Sequence, residues 1–188
     1  METALRLDYD PLWTKGAAII SRRRTLGAAI RIESPRQDDV KRLLAALDAY
    51  LESLYPPESN HILDIDTLCA PNIRFFVARR RGEAVGCGAL RIDSAGYGEV
   101  KRMFVHPEAR GRKLGRAILK RIEEQASRES LKWVRLETGI HQAEALALYR
   151  RAEYAERGPF GEYASDPLSH FMEKSIDPGS KRIKAKGR

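Results

Sequence analysis

The chain has 188 residues, room for one domain with a sizeable core, and a formal charge of +8. The charge collects at the ends: Met1–Gly27 sets five basic residues against three acidic ones and Asp177–Arg188 sets five against one, so the basicity reads as solvated tails and not as a nucleic-acid footprint. Two cysteines, four scattered histidines and no apolar run of roughly 20 residues exclude a disulfide framework, a paired-ligand metal site and a membrane span, and point to a reducing, cytoplasmic setting.

Met1–Gly27 carries Glu2, Asp8 and Asp10 around only the short apolar AAII, and reads as a flexible extension without the pattern of a cleaved signal. A compact unit opens at Ala28 with AAIRIE, a short strand, and is expected to close at Ile176, leaving 177–188 as a basic tail. Ser34–Leu54 predicts an amphipathic helix with Ser34 as N-cap, Pro35 at its first position and Val40, Leu43, Leu44, Leu47, Tyr50, Leu51 and Leu54 on its apolar face. YPPESN breaks it, and HILDIDTLCAPN reads as a mixed segment with a short helix. IRFFVAR is a strand that turns through RRGEA into the strand AVGCGALRI. A turn at SAGYG leads into EVKRMFV, a strand that His106-Pro107 ends. Leu114, Ala117, Ile118, Ile122 and Ala126 then form a helical stripe, LKWVRLET a strand and AEALALYRRA a further helix.

Between the strand EVKRMFV and the helix after it stands ARGRKLGRAIL, with Gly111 and Gly115 among Arg110, Arg112, Lys113 and Arg116. A glycine-bearing turn into a helix aims free backbone N–H groups at one point, backed by the positive end of the helix dipole, and so makes an anion cradle. Glycines there equally serve a tight turn and close helix packing, and spacing alone leaves both readings open. Spacing does exclude two familiar phosphate loops, which would need glycine at Arg116 or at Lys113.

EVKRMFVHPEARGRKLGRAILKRIEEQA resembles the acetyl-CoA-binding core of the GNAT N-acetyltransferase family, whose signature is Q/R-x-x-G-x-G/A. Arg110 takes its first place, Gly115 its last, and Lys113 stands at the middle glycine. QAEALALYRRAEY is similar to the family's N-x-x-A-x-x-L-Y-x-x-x-G-F, with Gln142, Ala145, Leu148 and Tyr149 in register. Gln142 replaces the asparagine, and Glu153 replaces the glycine that normally ends the helix in a left-handed conformation. The resemblance covers Ala28 to Ile176 and is strongest from Tyr97 to Tyr154.

It implies an α/β GNAT acyl-CoA N-acyltransferase fold: a mixed, mostly antiparallel sheet splayed around a central parallel pair, with helices on both faces. It also implies direct transfer of an acetyl group from acetyl-CoA, without a metal, to a primary amine on a small molecule or protein. A non-catalytic acyl-CoA-binding or sensing module is the alternative, and a homodimer is an assembly left open. The coenzyme would be held by Met103, Phe104 and Val105 on the splayed strand, one of whose N–H groups would face the thioester oxygen, and by Arg110, Gly111, Arg112, Lys113, Leu114, Gly115 and Arg116 around its phosphates.

A lysine-like amine titrates near ~10.4, so at pH 7 only about one molecule in a few thousand is neutral, and a carboxylate is expected near the acceptor. By the resemblance Glu99 is the first choice, at the place of the base in histone-acetyltransferase-like members; a plain ion pair with Lys101 or Arg135 is its structural alternative. Glu137 is the reserve, and a water relay a third route. Tyr149, by motif register, would donate its phenolic proton to the departing thiolate. Glu52, Glu58, Asp64, Asp66, Glu162 and Asp166 could favour a cationic acceptor and Tyr55 and Tyr163 could wall it, but a solvated surface explains them as well and none is assigned to the site.

Overall fold

The computed structural model describes residues 28–59 and 62–177; Met1–Gly27, His61 and the tail beyond Asp177 lie outside the described residues. In chain order the elements are β1 (Ala29–Ile32), α1 (Asp38–Glu52), α2 (Ile65–Leu68), β2 (Ile73–Arg80), β3 (Glu83–Ile92), β4 (Tyr97–Val105), α3 (Leu114–Arg128), β5 (Trp133–Gly139), α4 (Ala143–Arg151), β6 (Ala155–Arg157) and β7 (Ser169–Ser175). Among the described residues the strands form one sheet in the order β1-β2-β3-β4-β5-β7-β6. Neighbours are antiparallel except β4 and β5, the parallel pair at the centre.

The four-residue apolar run of β2 follows from helices covering both faces. Phe75 and Val77 pack with Val40, Leu43, Leu44 and Leu47 of α1 and Leu68 of α2. Phe76 and Ala78 pack with Ile118, Leu119, Ile122 and Ala126 of α3 and Leu146 and Tyr149 of α4. Burying an Ile or Leu side chain of this kind stabilises the fold by about 1.5–3 kcal/mol relative to leaving it in water. No helix among the described residues is long and apolar enough to cross a membrane.

Helix α1 starts later than its sequence suggests. Ser34 and Pro35 lie in a turn, where Ser34 Oγ accepts from the Arg36 N–H at 3.2 Å, and the helix begins at Asp38 behind Gln37. The cause is Arg79 on β2, whose guanidinium reaches Glu33 at 2.8 Å, Asp39 at 2.5 Å and Gln37 Oε1 at 3.0 Å, gathering the residues before and inside the first turn around one cation. Helix α4 ends as the family pattern would have it, but without the glycine. Glu153 itself takes the left-handed conformation at φ 68, with Tyr154 N–H bonding Tyr149 O at 3.1 Å and Glu153 N–H bonding Arg150 O at 3.0 Å, the paired bonds of a Schellman end.

What opens the molecule is a bulge on β4. Pairing with β3 steps from Cys87↔Phe104 to Ala89↔Lys101, so β4 carries one extra residue there, and Arg102 sits at φ 56. Its guanidinium pairs with Asp48 of α1, and its carbonyl accepts from the Cys87 thiol at 3.3 Å. Past the bulge β4 bends away from β5: their parallel register ends at Val100↔Leu136 although β4 runs on to Val105 and β5 to Gly139. The sheet is thereby split into a wedge.

Candidate active site

The wedge holds a groove of about 880 Å³. Of the residues expected to hold a phosphate-bearing coenzyme, Met103, Phe104, Val105, Arg110, Gly111, Lys113, Leu114, Gly115 and Arg116 line it; Arg112 does not. The loop that brings them there turns through Pro107–Ala109, passes Gly111 at φ 74, and enters α3 from Lys113 at φ 60 and ψ 18. Lys113 thus adopts the left-handed conformation that a glycine would take at the same place without steric cost. The first helical hydrogen bond runs from Ala117 N–H to the Lys113 carbonyl, so the N–H groups of Leu114, Gly115 and Arg116 have no acceptor within the helix. Together with Arg110, Lys113 and Arg116 they give the groove a positive rim that fits a pyrophosphate. A Cβ on Gly115 would meet Leu148 at 3.3 Å, so this glycine also lets α3 approach α4.

Arg110 is partly committed to bracing. Its Nε donates to the Val105 carbonyl at 3.2 Å, its Nη1 lies 3.3 Å from Glu144, and its guanidinium lies 6.0 Å from the Tyr50 ring centroid. The Val105 carbonyl is therefore turned away from β3. Because N–H and C=O of one strand residue point to the same side, the Val105 N–H faces the wedge.

A second cavity, about 90 Å³, lies deeper, between α1 and the ends of β4 and β5. It shares Leu47, Met103, Gln142, Ala145 and Tyr149 with the groove, so these residues form a wall common to both spaces. Tyr149 is buried, and burial, reinforced by the negative charge of Glu137, raises its phenol above the ordinary value, so the hydroxyl keeps its proton. Glu137 lines the cavity and accepts from Ser169 Oγ at 2.7 Å. Gln142, in place of the pattern's asparagine, ties the end of β5 to the start of α4: its Oε1 accepts from Thr138 Oγ1 and from the Gly139 N–H, both at 3.0 Å. Tyr55 forms a wall, stacked on His141 at 5.6 Å and accepting its N–H at 2.9 Å. Only glycine fits opposite it, since a Cβ at 139 would fall 2.1 Å from the Tyr55 ring.

Glu99 is elsewhere. It lies in the paired part of the wedge, opposite Arg135, with 0% of its surface exposed, and lines neither cavity. Tyr163 donates to its Oε1 at 2.5 Å, Arg91 Nη2 stands 2.7 Å from its Oε2, and Lys101 Nζ stands 3.6 Å from Oε1. Its surroundings match the ion-paired reading of this residue, with Arg91 as the close partner in place of Arg135. The residues that sequence reasoning left out of the site are Lys101 and Gln142, both in the cavity wall. The two-residue spacing of Glu99 and Lys101 on one strand face was the available signal for the first. Of the surface acids, Asp64 caps α2 through the Thr67 N–H at 2.7 Å, Asp66 pairs with Arg36 at 2.9 Å, and Asp166 accepts the Leu168 N–H at 2.8 Å. Neither these nor Glu52 and Glu162 line the cavities. No group of His, Cys, Asp and Glu able to hold a metal occurs among the described residues.

Residues 40–154 match the family model described as acetyltransferase (GNAT) family. A protein of Azospirillum brasilense named IAA acetyltransferase is 59% identical over 145 residues, which is 77% of this chain and 95% of that protein. A crystal structure of a Klebsiella pneumoniae protein, titled putative acyl-CoA N-acyltransferase, superposes with a TM-score of 0.68 at 38% identity, covering 79% of this chain and 97% of that one. A Bacillus anthracis structure, titled putative streptothricin acetyltransferase in complex with acetyl coenzyme A, shares the fold at 16% identity and a TM-score of 0.53 over 61% of this chain and 69% of its own.

Proposed function

Because this chain belongs to the GNAT acetyltransferase family, we propose that it transfers an acetyl group from acetyl-CoA directly to an amine at the junction of the groove and the deeper cavity. The observation that carries this reading is the shared wall: Tyr149 borders both spaces, with a phosphate-sized positive rim on one side and the Glu137 carboxylate on the other. On the groove side, the free N–H groups at the start of α3 and the cations of the loop hold the coenzyme phosphates, and an N–H of the Met103–Val105 segment faces the thioester oxygen. On the cavity side, Glu137 accepts the proton that the acceptor ammonium must lose before its nitrogen attacks the acetyl carbon. As the carbon–sulfur bond breaks, Tyr149 gives its phenolic proton to the sulfur so that coenzyme A leaves as a thiol, and the second proton of the attacking nitrogen restores the phenol as the neutral amide forms. The base role falls to Glu137 in this scheme because Glu99 has no surface in either cavity and its charge is already matched by Arg91.

The test is release of thiol from acetyl-CoA across a panel of amines, to which the name of the Azospirillum relative adds IAA. Glu137→Gln is expected to lower kcat/KM by about 10²–10⁴-fold at neutral pH, with the deficit shrinking as pH rises and the amine deprotonates unaided. A pH-independent deficit in Glu137→Gln, or the larger pH-dependent one in Glu99→Gln, would return the base role to Glu99. Coenzyme binding with no turnover on any amine would favour a sensing module instead.

A further inference from the structure

Resting on that reading of the cavity as the acceptor site, we infer that the acceptor carries an anionic oxygen group, a carboxylate or a phosphonate, beside its amine, and that Lys101 is the residue that reads it. Lys101 and Glu137 are the next positions after Val100↔Leu136, the last pair of the parallel ladder. By the alternation of a pleated strand they share one face, the face of Glu99 and Arg135, and both line the deeper cavity. An ammonium and a carboxylate therefore stand side by side where the wedge begins to open.

The Lys101 side chain is only 9% exposed, and a cation so enclosed is costly unless something matches it. Its protein partners match it incompletely. Its Nζ donates to Tyr163 Oη at 2.7 Å, an uncharged oxygen, while Glu99 lies at 3.6 Å, beyond a good hydrogen bond. Glu99 has closer partners of its own, the ion pair with Arg91 at 2.7 Å and the hydrogen bond from the Tyr163 hydroxyl at 2.5 Å. Tyr163 thus links the two, donating to Glu99 and accepting from Lys101, which fixes where the ammonium sits and leaves it N–H groups to spare. Burial pushes the Lys101 amine below its ordinary value, opposed by the attraction of Glu99 and Glu137, so a further anion in the cavity would secure its charged form. A ligand bearing both signs complements both groups: its ammonium goes to Glu137 and its anion to Lys101, while Leu47, Leu51, Leu168 and the Tyr55 ring receive the apolar part. An amine without the anion leaves Lys101 with only the longer ion pair to Glu99 at 3.6 Å.

Matched acceptors test this: β-alanine against ethylamine, 2-aminoethylphosphonate against the same amine, and phenylalanine against 2-phenylethylamine. The wild-type protein is expected to favour the anionic member of at least one pair by about 10–100-fold in kcat/KM, the range of a hydrogen-bonded charge. In Lys101→Met this preference ratio should collapse toward one through KM, and Lys101→Arg should restore part of it. Tyr163→Phe, which removes the hydroxyl linking Lys101 to Glu99, should lower the ratio as well, and melting temperatures of all three variants separate this from misfolding. Equal use of both members by the wild type, or a ratio unchanged in Lys101→Met, overturns the inference while leaving acetyl transfer intact. If no amine is turned over, calorimetric binding of the same anionic ligands in the presence of coenzyme A decides: binding lost in Lys101→Met upholds the anion site, and no binding to the wild type overturns it.

Discussion

In the proposed reaction the Tyr149 hydroxyl gives its hydrogen to the departing sulfur, and burial, which raises the phenol above its ordinary value, keeps that hydrogen in place at neutral pH. Tyr149→Phe keeps the ring that packs against Tyr154, with centroids 5.8 Å apart, and removes only the oxygen. Turnover at saturating acceptor is expected to fall about 10²-fold, the lower end of general-acid effects because a thiolate is already a tolerable leaving group, while coenzyme affinity measured on the same variant is retained. The position of Tyr149 beside the groove was legible because a helix fixes the spacing from Gln142 to Tyr149 and a motif can therefore record it. The setting of Glu99 was not. Its hydrogen-bond donor Tyr163 is 64 residues away in the chain, on a segment without periodic pattern, and nothing local to either residue announces the pair. For Lys101 the spacing from Glu99 gave its face of the strand, but not the cavity it lines, which is walled by residues from distant parts of the chain such as Leu47, Glu137 and Leu168.

Elements were read more completely than their ends. The strand and helix order from β2 to α4 follows from apolar periodicity, since each element buries a face of its own. Ends depend on distant partners. The start of α1 is moved from Ser34 to Asp38 by Arg79, whose hydrogen bond and charge hold Asp39 below its usual carboxylate range. A carboxylate depressed in the folded state contributes stability that is complete above its unfolded value, about 3.9, and is lost as pH falls through the lower folded value. Asp39→Asn should therefore destabilise the protein at neutral pH and lessen its loss of melting temperature between about pH 4 and pH 2, read by circular dichroism. At the other end of the fold, Glu153 holds a left-handed conformation that costs a residue with a Cβ roughly 1 kcal/mol. Glu153→Gly should accordingly raise stability by about 0.5–1 kcal/mol in urea unfolding, with little change in the m-value. A loss of stability would mean that the glutamate side chain has a role beyond its backbone.

At the scale of the molecule, the strands of the two halves of the sheet pair, among the described residues, along the short parallel register from Tyr97↔Trp133 to Val100↔Leu136, and beyond it the wedge holds them apart. A ligand that spans the wedge and binds only the folded chain adds about 2.7 kcal/mol at one hundred times its Kd, which in a chain of this size is roughly 5–10 °C. Acetyl-CoA should produce such a rise in melting temperature, and its absence at millimolar concentration would remove the coenzyme from the groove. The same split has a consequence for the backbone. Val105 presents an N–H toward a strand that has already left, so the sheet contains an edge in its own interior, a row of hydrogen-bonding groups with the walls of the fold drawn up on either side. An outer edge invites any passing strand; this one is screened by α3 and α4 and admits only something thin enough to enter between them. In hydrogen exchange the Val105 amide should therefore behave as a surface amide in the free protein and slow when acetyl-CoA enters, the substrate standing for a time as the missing neighbour in the weave.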